Sequence, residues 1–305
     1  MDNDPKFIQA LRDTVKGVLF RWRYRGVPIM PGAEGNDYIA QCIRWGKPFY
    51  AGRCGATEMR CMAEYLAHDK GEDFHFSAKI RGEMRNLSGM FPTDDDTLLR
   101  FCELYAQAAR HAGLLAVWDV GAERRVIDGC QGTRFAELRA LEPYYHERPW
   151  TAALAGKRVL VVHPFVGTIR AQYSRRGELF DNPDILPKFA ELKLLRAVQG
   201  LGGQDTGYAT WFDALQWMES EIDRTDFDVA IIGAGAYGLP LAAHCAAIGR
   251  QAVQMAGATQ LLFGIRGKRW DDHPVIGKLY NDAWVRPVGD ESIANKEVVE
   301  GGSYW

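Results

Sequence analysis

The run from Asp228 through Val229, Ala230, Ile231 and Ile232 to Gly233, Gly235, Tyr237 and Gly238 carries three glycines at G-x-G-x-x-G spacing, directly after an apolar stretch and ahead of a helical pattern. That context suits a phosphate group. Gly233 permits a tight turn, and Gly235 removes a side chain where a phosphate must approach the backbone. A helix opening near Leu239 would then aim its free N–H groups and positive dipole end at the anion. A second group, Arg53-Cys54-Gly55-Ala56-Thr57-Glu58, sets an arginine beside a glycine and ends on a carboxylate. Arg53 and Gly55 suit a phosphate. Glu58 suits a metal or a sugar hydroxyl, and suits equally the first turn of a helix, whose dipole favours an acid. His163, ahead of Pro164 and Phe165, can donate to a phosphate or move a proton, and a purely structural histidine is the alternative. Lys268 and Arg269, with Arg266 and Trp270, crowd a glycine-containing loop over residues 263–270. Cations there can clamp a diphosphate and a ring can stack on a base, against the plainer reading of solvated surface charge.

The elements that must hold these groups alternate between strand and helix. Short apolar runs at 48–52, 114–117, 158–162, 229–232 and 251–255 predict strands, the fully apolar ones suiting central positions in a parallel sheet. Helical patterns follow at 37–45, 56–66, 93–112, 169–176, 211–222 and 239–248. The Pro-Gly run 28–35 predicts a break before the second helix. Asp94, Asp95 and Asp96 resemble a metal-binding pair, but capping and dipole complementation of the helix they open explain them better. The fold class expected is α/β, a mostly parallel Rossmann-like sheet with helices on both faces. Residues 1–44 are expected to form an N-terminal helical region and 45–305 a Rossmann-like domain. The proline-rich aromatic stretch at 142–156 is the candidate internal boundary.

Composition bounds the partners. The 305 residues carry 37 basic and 39 acidic side chains, a formal net charge of -2, so no whole-protein field recruits nucleic acid. Six scattered cysteines without a CxxC pair read as free thiols of a cytoplasmic protein. Met1-Asp2-Asn3-Asp4 is acidic where a secretory signal would be basic. Phe7, Leu11, Val15, Val18 and Trp22 recur at helical spacing within residues 6–25, among Lys16, Arg21, Arg23 and Arg25. Such a basic amphipathic helix docks on its own domain or lies peripherally on the inner face of a membrane. The tail from Glu300 to Trp305 is aromatic enough to tuck into the fold or over a pocket.

Glycine spacing alone would name a nicotinamide or flavin dinucleotide. A dinucleotide fold, however, places a ribose-binding acid at the end of the next strand, and here that strand ends Gln254-Met255-Ala256-Gly257. The motif also falls late in the chain. At these same residues the chain resembles the GT-D-fold glycosyltransferases of bacterial surface-polysaccharide clusters, once catalogued as a domain of unknown function. The resemblance spans roughly 45–270 and rests on Arg53–Glu58, Val159–Phe165 and Phe227–Gly264. It implies a GT-D-like Rossmann fold and transfer of a sugar from a nucleotide-diphosphate donor, typically UDP-linked, to a glycan or lipid-linked acceptor. The family's first motif runs Arg-x-Gly-Asp-Gly-Glu, its Asp-x-Glu pair associated with Mn2+ or Mg2+. Arg53, Gly55 and Glu58 match it; Ala56 and Thr57 depart from it. The departure removes a hard oxygen ligand, leaving Glu58 alone as metal ligand and shifting charge neutralisation towards Arg53, Lys268 and Arg269. Two other readings accompany it: an NAD- or FAD-dependent oxidoreductase, and a non-catalytic nucleotide-sugar-binding subunit.

Overall fold

The computed structural model describes residues 17–67, 74–287, 289–293 and 295–305. Among them, eight strands form one sheet: β1 (Ile29–Met30), β2 (Phe49–Arg53), β3 (Leu114–Val117), β4 (Arg134–Glu137), β5 (Arg158–His163), β6 (Glu191–Arg196), β7 (Val229–Ile232) and β8 (Gln251–Gln254). The order across the sheet is β1-β4-β3-β2-β8-β7-β5-β6. Every pairing is parallel, which makes the sheet more uniform than expected. The fold is α/β with helices on both faces.

Burial on both faces explains the composition of the central strands. Val159, Val161, Val229, Ile231 and Val253 enter one core layer; Leu160, Val162, Ala230, Ile232 and Ala252 enter the other. No face is left to carry polar alternation, so these runs were readable as strands. β6 is different. Glu191-Leu-Lys-Leu-Leu-Arg196 sits at the sheet edge, half-buried, and its mixed pattern gave no strand signal. β4 was missed for the same reason, since both of its ends are exposed and charged.

The sheet takes in Ile29–Met30, ahead of residue 45, and β2 and β8, from either side of 142–156, pair within it. The stretch at 142–156 forms short 3-10 turns, Pro143–Tyr145 and Trp150–Leu154. The predicted break over 28–35 is revised, because a helix spans Gly32–Trp45. A Cβ on Gly35 would lie 2.6 Å from that of Ala136 and 2.7 Å from that of Ala140. These glycines let the helix lie close on β4 and the turn after it. They are packing residues here and not breakers. A helix over Ala78–Leu87, capped by Ser77, had not been anticipated. Asp94 caps the helix Asp95–Arg110, its carboxylate accepting from the Thr97 N–H at 2.8 Å, as expected.

Of the predicted helix at 6–25, residues 17–23 are helical and 6–16 lie outside the described residues. The Tyr24 hydroxyl donates to the buried Glu123 carboxylate at 2.6 Å, which also accepts from the Trp118 and Asp119 N–H groups. All six cysteines are free. Among the described residues no helix is long and apolar enough to cross a membrane.

Candidate functional site

Open α/β sheets bind ligands beyond the carboxyl ends of adjacent strands whose connections leave in opposite directions. Here those strands are β5 and β7. β5 leads to β6 through the helix Val166–Ser174, whose Ile169 packs with Val159 and Val161. β7 leads to β8 through the helix Gly238–Ala247, whose Leu239 and Leu241 pack with Leu160 and Val162 on the other face. The crevice between them therefore opens at His163 and Gly233. A cavity of about 620 Å³ occupies it and extends over the carboxyl ends of β2, β3, β6 and β8. That volume is in the range of small-molecule sites.

The glycine turn forms the cavity's inner wall, with a division of labour that differs from the expected one. Gly233 has no need of unusual dihedrals; a Cβ there would lie 2.6 Å from His163 Cδ2 and 2.7 Å from Thr259 Cβ. It is glycine so that two buried side chains can close over the strand end. Gly235 takes the positive φ, +53°, and its missing Cβ faces open space. Gly238 is not part of the cavity lining; a Cβ there would meet Gln254 Cγ at 2.9 Å. The N–H of Gly233 donates to Val162 and that of Tyr237 to Ala234. Gly235–Tyr237 forms a 3-10 turn that the Gly238 N–H closes on the Gly235 carbonyl. Tyr237 reaches the cavity floor at 2% exposure, its ring stacked on Trp211 at 4.3 Å between centroids and 3° between planes. Its packing anchors the turn.

Gln254 stands where a dinucleotide fold would carry its ribose acid. The side chain is buried between Gly52 and Gly238, and its Oε1 accepts from the Arg53 N–H at 2.8 Å. It cements two strand ends to each other and offers no carboxylate to a ribose.

Arg53, at the end of β2, lays its guanidinium 4.6 Å from the centroid of the Trp118 ring, and the Trp118 Nε1–H donates to the Cys54 carbonyl at 2.8 Å. The arginine is thus aimed by stacking before any ligand arrives. Glu58 lies in the first turn of the helix Ala56–Ala67, 7% exposed. Its carboxylate curls back over Gly55, where a Cβ would fall 1.8 Å from Glu58 Oε2, and it accepts from Ser88 Oγ at 2.7 Å. Gly55 is required by that curl, and its N–H donates to the Tyr105 hydroxyl oxygen at 3.0 Å. Among the described residues no group of three or more His, Cys, Asp or Glu side chains is arranged to hold a metal. With Ala56 in place of the acid, Glu58 supplies one carboxylate where the resemblance implies two.

His163 is 3% exposed, and its Nδ1 accepts from the Phe165 N–H at 3.0 Å. Burial lowers its pKa to about 3, so the ring is neutral at physiological pH. With Nδ1 engaged as acceptor, the proton resides on Nε2. His163 can donate a hydrogen bond to a bound oxygen, but it has no free lone pair with which to act as a base. Of the roles considered for it, donation to a bound oxygen is the one this tautomer serves directly.

The outer rim comes from the loop after the helix Thr259–Leu262 and from the C-terminal tail. Arg269 lines the cavity, and its guanidinium donates to the Tyr304 hydroxyl oxygen and to the Glu300 carboxylate, each at 3.0 Å. Lys268 is not at the cavity. Its ammonium donates to the Gly301 carbonyl at 3.0 Å. Arg266 stacks over Tyr280 at 4.9 Å and is likewise turned away. The tail tucks in as its composition suggested: the Trp305 Nε1–H donates to the Glu291 carbonyl, and Tyr304 lies against Gly257.

One lining residue was not anticipated. Glu142, at the end of the 3-10 turn Leu138–Leu141, faces the cavity in a largely desolvated setting. Burial raises its pKa against the lowering influence of Arg139 and Arg53. Its sequence context, Leu-Glu-Pro-Tyr-Tyr, carries no motif; only the return of the turn to the sheet end brings it in.

No protein-family model and no curated protein sequence matches the chain. A solved structure described as the selenomethionine-substituted structure of domain of unknown function 1792 is similar to it, covering 89% of this chain and 96% of the neighbour at 12% identity, with a TM-score of 0.49.

Proposed function

We propose that this chain is a glycosyltransferase that moves a sugar from a nucleoside-diphosphate donor to a hydroxyl of a glycan or lipid-linked acceptor. The observation that carries the reading is the glycine turn at the β5–β7 crevice, where Gly233, Ala234, Gly235 and Tyr237 line a cavity that also receives Arg53, Glu58, His163 and Glu142. The diphosphate lies on Ala234–Ala236, with Arg53 and the His163 Nε2–H as further donors. These fixed dipoles and charges stabilise the leaving diphosphate as its bond to the anomeric carbon breaks. Glu58 holds a hydroxyl of the donor sugar. Glu142 takes the proton from the acceptor oxygen as that oxygen bonds to the anomeric carbon; burial raises its pKa, which makes the carboxylate a stronger base. Gln254 in the ribose-acid position argues against a nicotinamide or flavin dinucleotide.

A second reading, a nucleotide-sugar-binding subunit without turnover, draws on Ala56 and on the Glu300 carboxylate that already occupies Arg269. Incubation with UDP-, GDP-, CMP- and dTDP-sugars separates the two. The transferase reading expects one donor both to raise the melting temperature and to release its nucleotide. Glu58→Gln should cut release about 100-fold while keeping the thermal shift, a loss of about 2.7 kcal/mol of transition-state stabilisation. A thermal shift with no nucleotide released from any donor would leave only the binding subunit.

A further inference from the structure

Residues 17–23 form a helix with two unlike faces. Phe20 and Tyr24 turn inward, their rings 4.7 Å apart, and Tyr24 is pinned by Glu123. Val18, Leu19 and Trp22 turn outward at 51, 47 and 75% exposure. Positions 18 and 22 are one turn apart with 19 beside them, so the three side chains make one apolar strip. Large aromatic and aliphatic groups gathered at this exposure mark a contact surface, whereas single exposed apolar residues do not. Arg21, Arg23 and Arg25 stand beside the strip, all exposed. Arg23 pairs with Asp119, and Arg124 donates to the Arg23 and Arg25 carbonyls while pairing with Asp128. Arg125, also exposed, adds another positive charge on the adjoining helix Glu123–Ile127. The patch is therefore net positive on a chain whose formal net charge is -2.

We infer that this strip docks the protein on an anionic lipid bilayer, Trp22 and Leu19 entering the headgroup region and Arg21 and Arg25 meeting lipid phosphates. An exposed tryptophan beside aliphatic side chains and flanked by arginines has the amphiphilic profile of an interfacial helix. A soluble protein partner would need no basic flank of this kind; a lipid surface rewards both halves of the patch. The helix sits on the loop after β3, and that loop supplies Trp118, which aims Arg53 into the cavity. Docking through this face brings the cavity's β2–β3 side near the bilayer, where a membrane-held acceptor would be presented. The inference stands apart from the transferase reading, since vesicle binding requires no turnover.

Flotation of the full-length protein with vesicles tests it. Phosphatidylcholine vesicles carrying about 30 mol% phosphatidylglycerol should carry the protein up at low salt, and plain phosphatidylcholine vesicles should bind it far less. Leu19→Glu with Trp22→Glu should reduce binding at least ~10-fold, with far-UV circular dichroism and melting temperature unchanged. Arg21→Gln with Arg25→Gln should reduce it about tenfold or more, and about 0.5 M salt should do the same to the parent. The arginine pair decides the matter if the acidic variant fails to fold. Absence of flotation with anionic vesicles at low salt overturns the inference. So does binding by both variants equal to that of the parent, or a concentration-dependent dimer that Leu19→Glu with Trp22→Glu dissolves.

Discussion

The cavity has two walls built in different ways. Its inner wall is the turn from Gly233 to Tyr237 with Gln254 and His163 beside it, buried except at Gly235 and without a net charge. Its outer rim is Arg269 with Tyr304 and Glu300, half-exposed and held together by ion pairs and hydrogen bonds to a tail some thirty residues further along. The inner wall is close-packed at Gly233, where a single added methyl has nowhere to go. The outer rim is defined by exchangeable polar contacts, where a ligand anion competes with a side-chain carboxylate on equal terms. The first can orient a phosphate; the second can only modulate its affinity. The sharpest ways to break this contrast begin with the inner wall.

Gly233→Ala should have the largest effect on the fold. The new Cβ would lie 2.6 Å from His163 Cδ2 and 2.7 Å from Thr259 Oγ1, both on buried side chains. Overpacking of this kind costs about 1–3 kcal/mol, read as a lower denaturation midpoint, and should abolish any donor-induced thermal shift. Gly235→Ala makes the internal control. Its Cβ meets nothing within 4 Å but its φ is +53°, so the cost is conformational alone, about 1 kcal/mol. Donor binding should weaken without vanishing. Equal losses in the two variants would show that the closed packing at Gly233 has no special part in binding.

These two glycines also show what the sequence could and could not tell. Spacing located the turn, because only glycine satisfies a positive φ and a close approach at once. It did not say which glycine did which, since the neighbour that forbids a Cβ at Gly233 is Thr259, 26 residues later, and at Gly238 is Gln254. Central strands were legible because both faces are buried; the edge strand Glu191–Arg196 was not, because half of it faces water. Arg53, Gly55 and Glu58 were legible as a local cluster. Glu142 was invisible, since nothing local distinguishes a carboxylate that a 3-10 turn returns to the sheet end from one in solvent. Lys268 and Arg269 read as a matched pair. Only the tail contacts separate the cation that lines the cavity from the one that binds a carbonyl.

Glu142 tests whether the inner region supplies chemistry as well as shape. Its folded-state pKa is raised by burial, so its ionised form, the form that accepts a proton, disappears as pH falls through that raised value. The acid limb of kcat/KM should then lie above the ordinary glutamate value of about 4.3, and Glu142→Gln should remove the limb with a loss of about 100-fold in kcat. The sign for stability is opposite. A carboxyl whose folded pKa is raised penalises the fold once pH exceeds its unfolded value, because the folded state holds the proton more tightly. The neutral glutamine escapes that penalty, so the variant should melt at the same temperature or higher at neutral pH. A variant that loses activity and melts lower would instead identify Glu142 as a structural carboxylate.

On the outer rim the expected effects are small and of both signs. Glu300→Gln weakens the pairing that holds Arg269 and should tighten donor binding by no more than about fivefold, since a half-exposed pair is worth at most about 1 kcal/mol. The gain should shrink as ionic strength rises, because the competing attraction is itself screened. A drop in donor affinity would mean that the tail carries Arg269 to the ligand and does not compete for it.

Lys268→Ala should have the smallest effect of all. Adjacent to Arg269 in sequence, it donates to the Gly301 carbonyl and takes no part in lining the cavity. Its removal costs one exposed hydrogen bond, within about 0.5 kcal/mol of stability, and should change donor affinity less than about twofold. The comparison with Arg269→Ala is the informative one, because two neighbouring cations with equal formal charge should differ in ligand binding by position alone. If Lys268→Ala weakens the donor as much as Arg269→Ala does, then the rim acts through its summed charge at a distance, and the geometric distinction between the two residues has no bearing on binding.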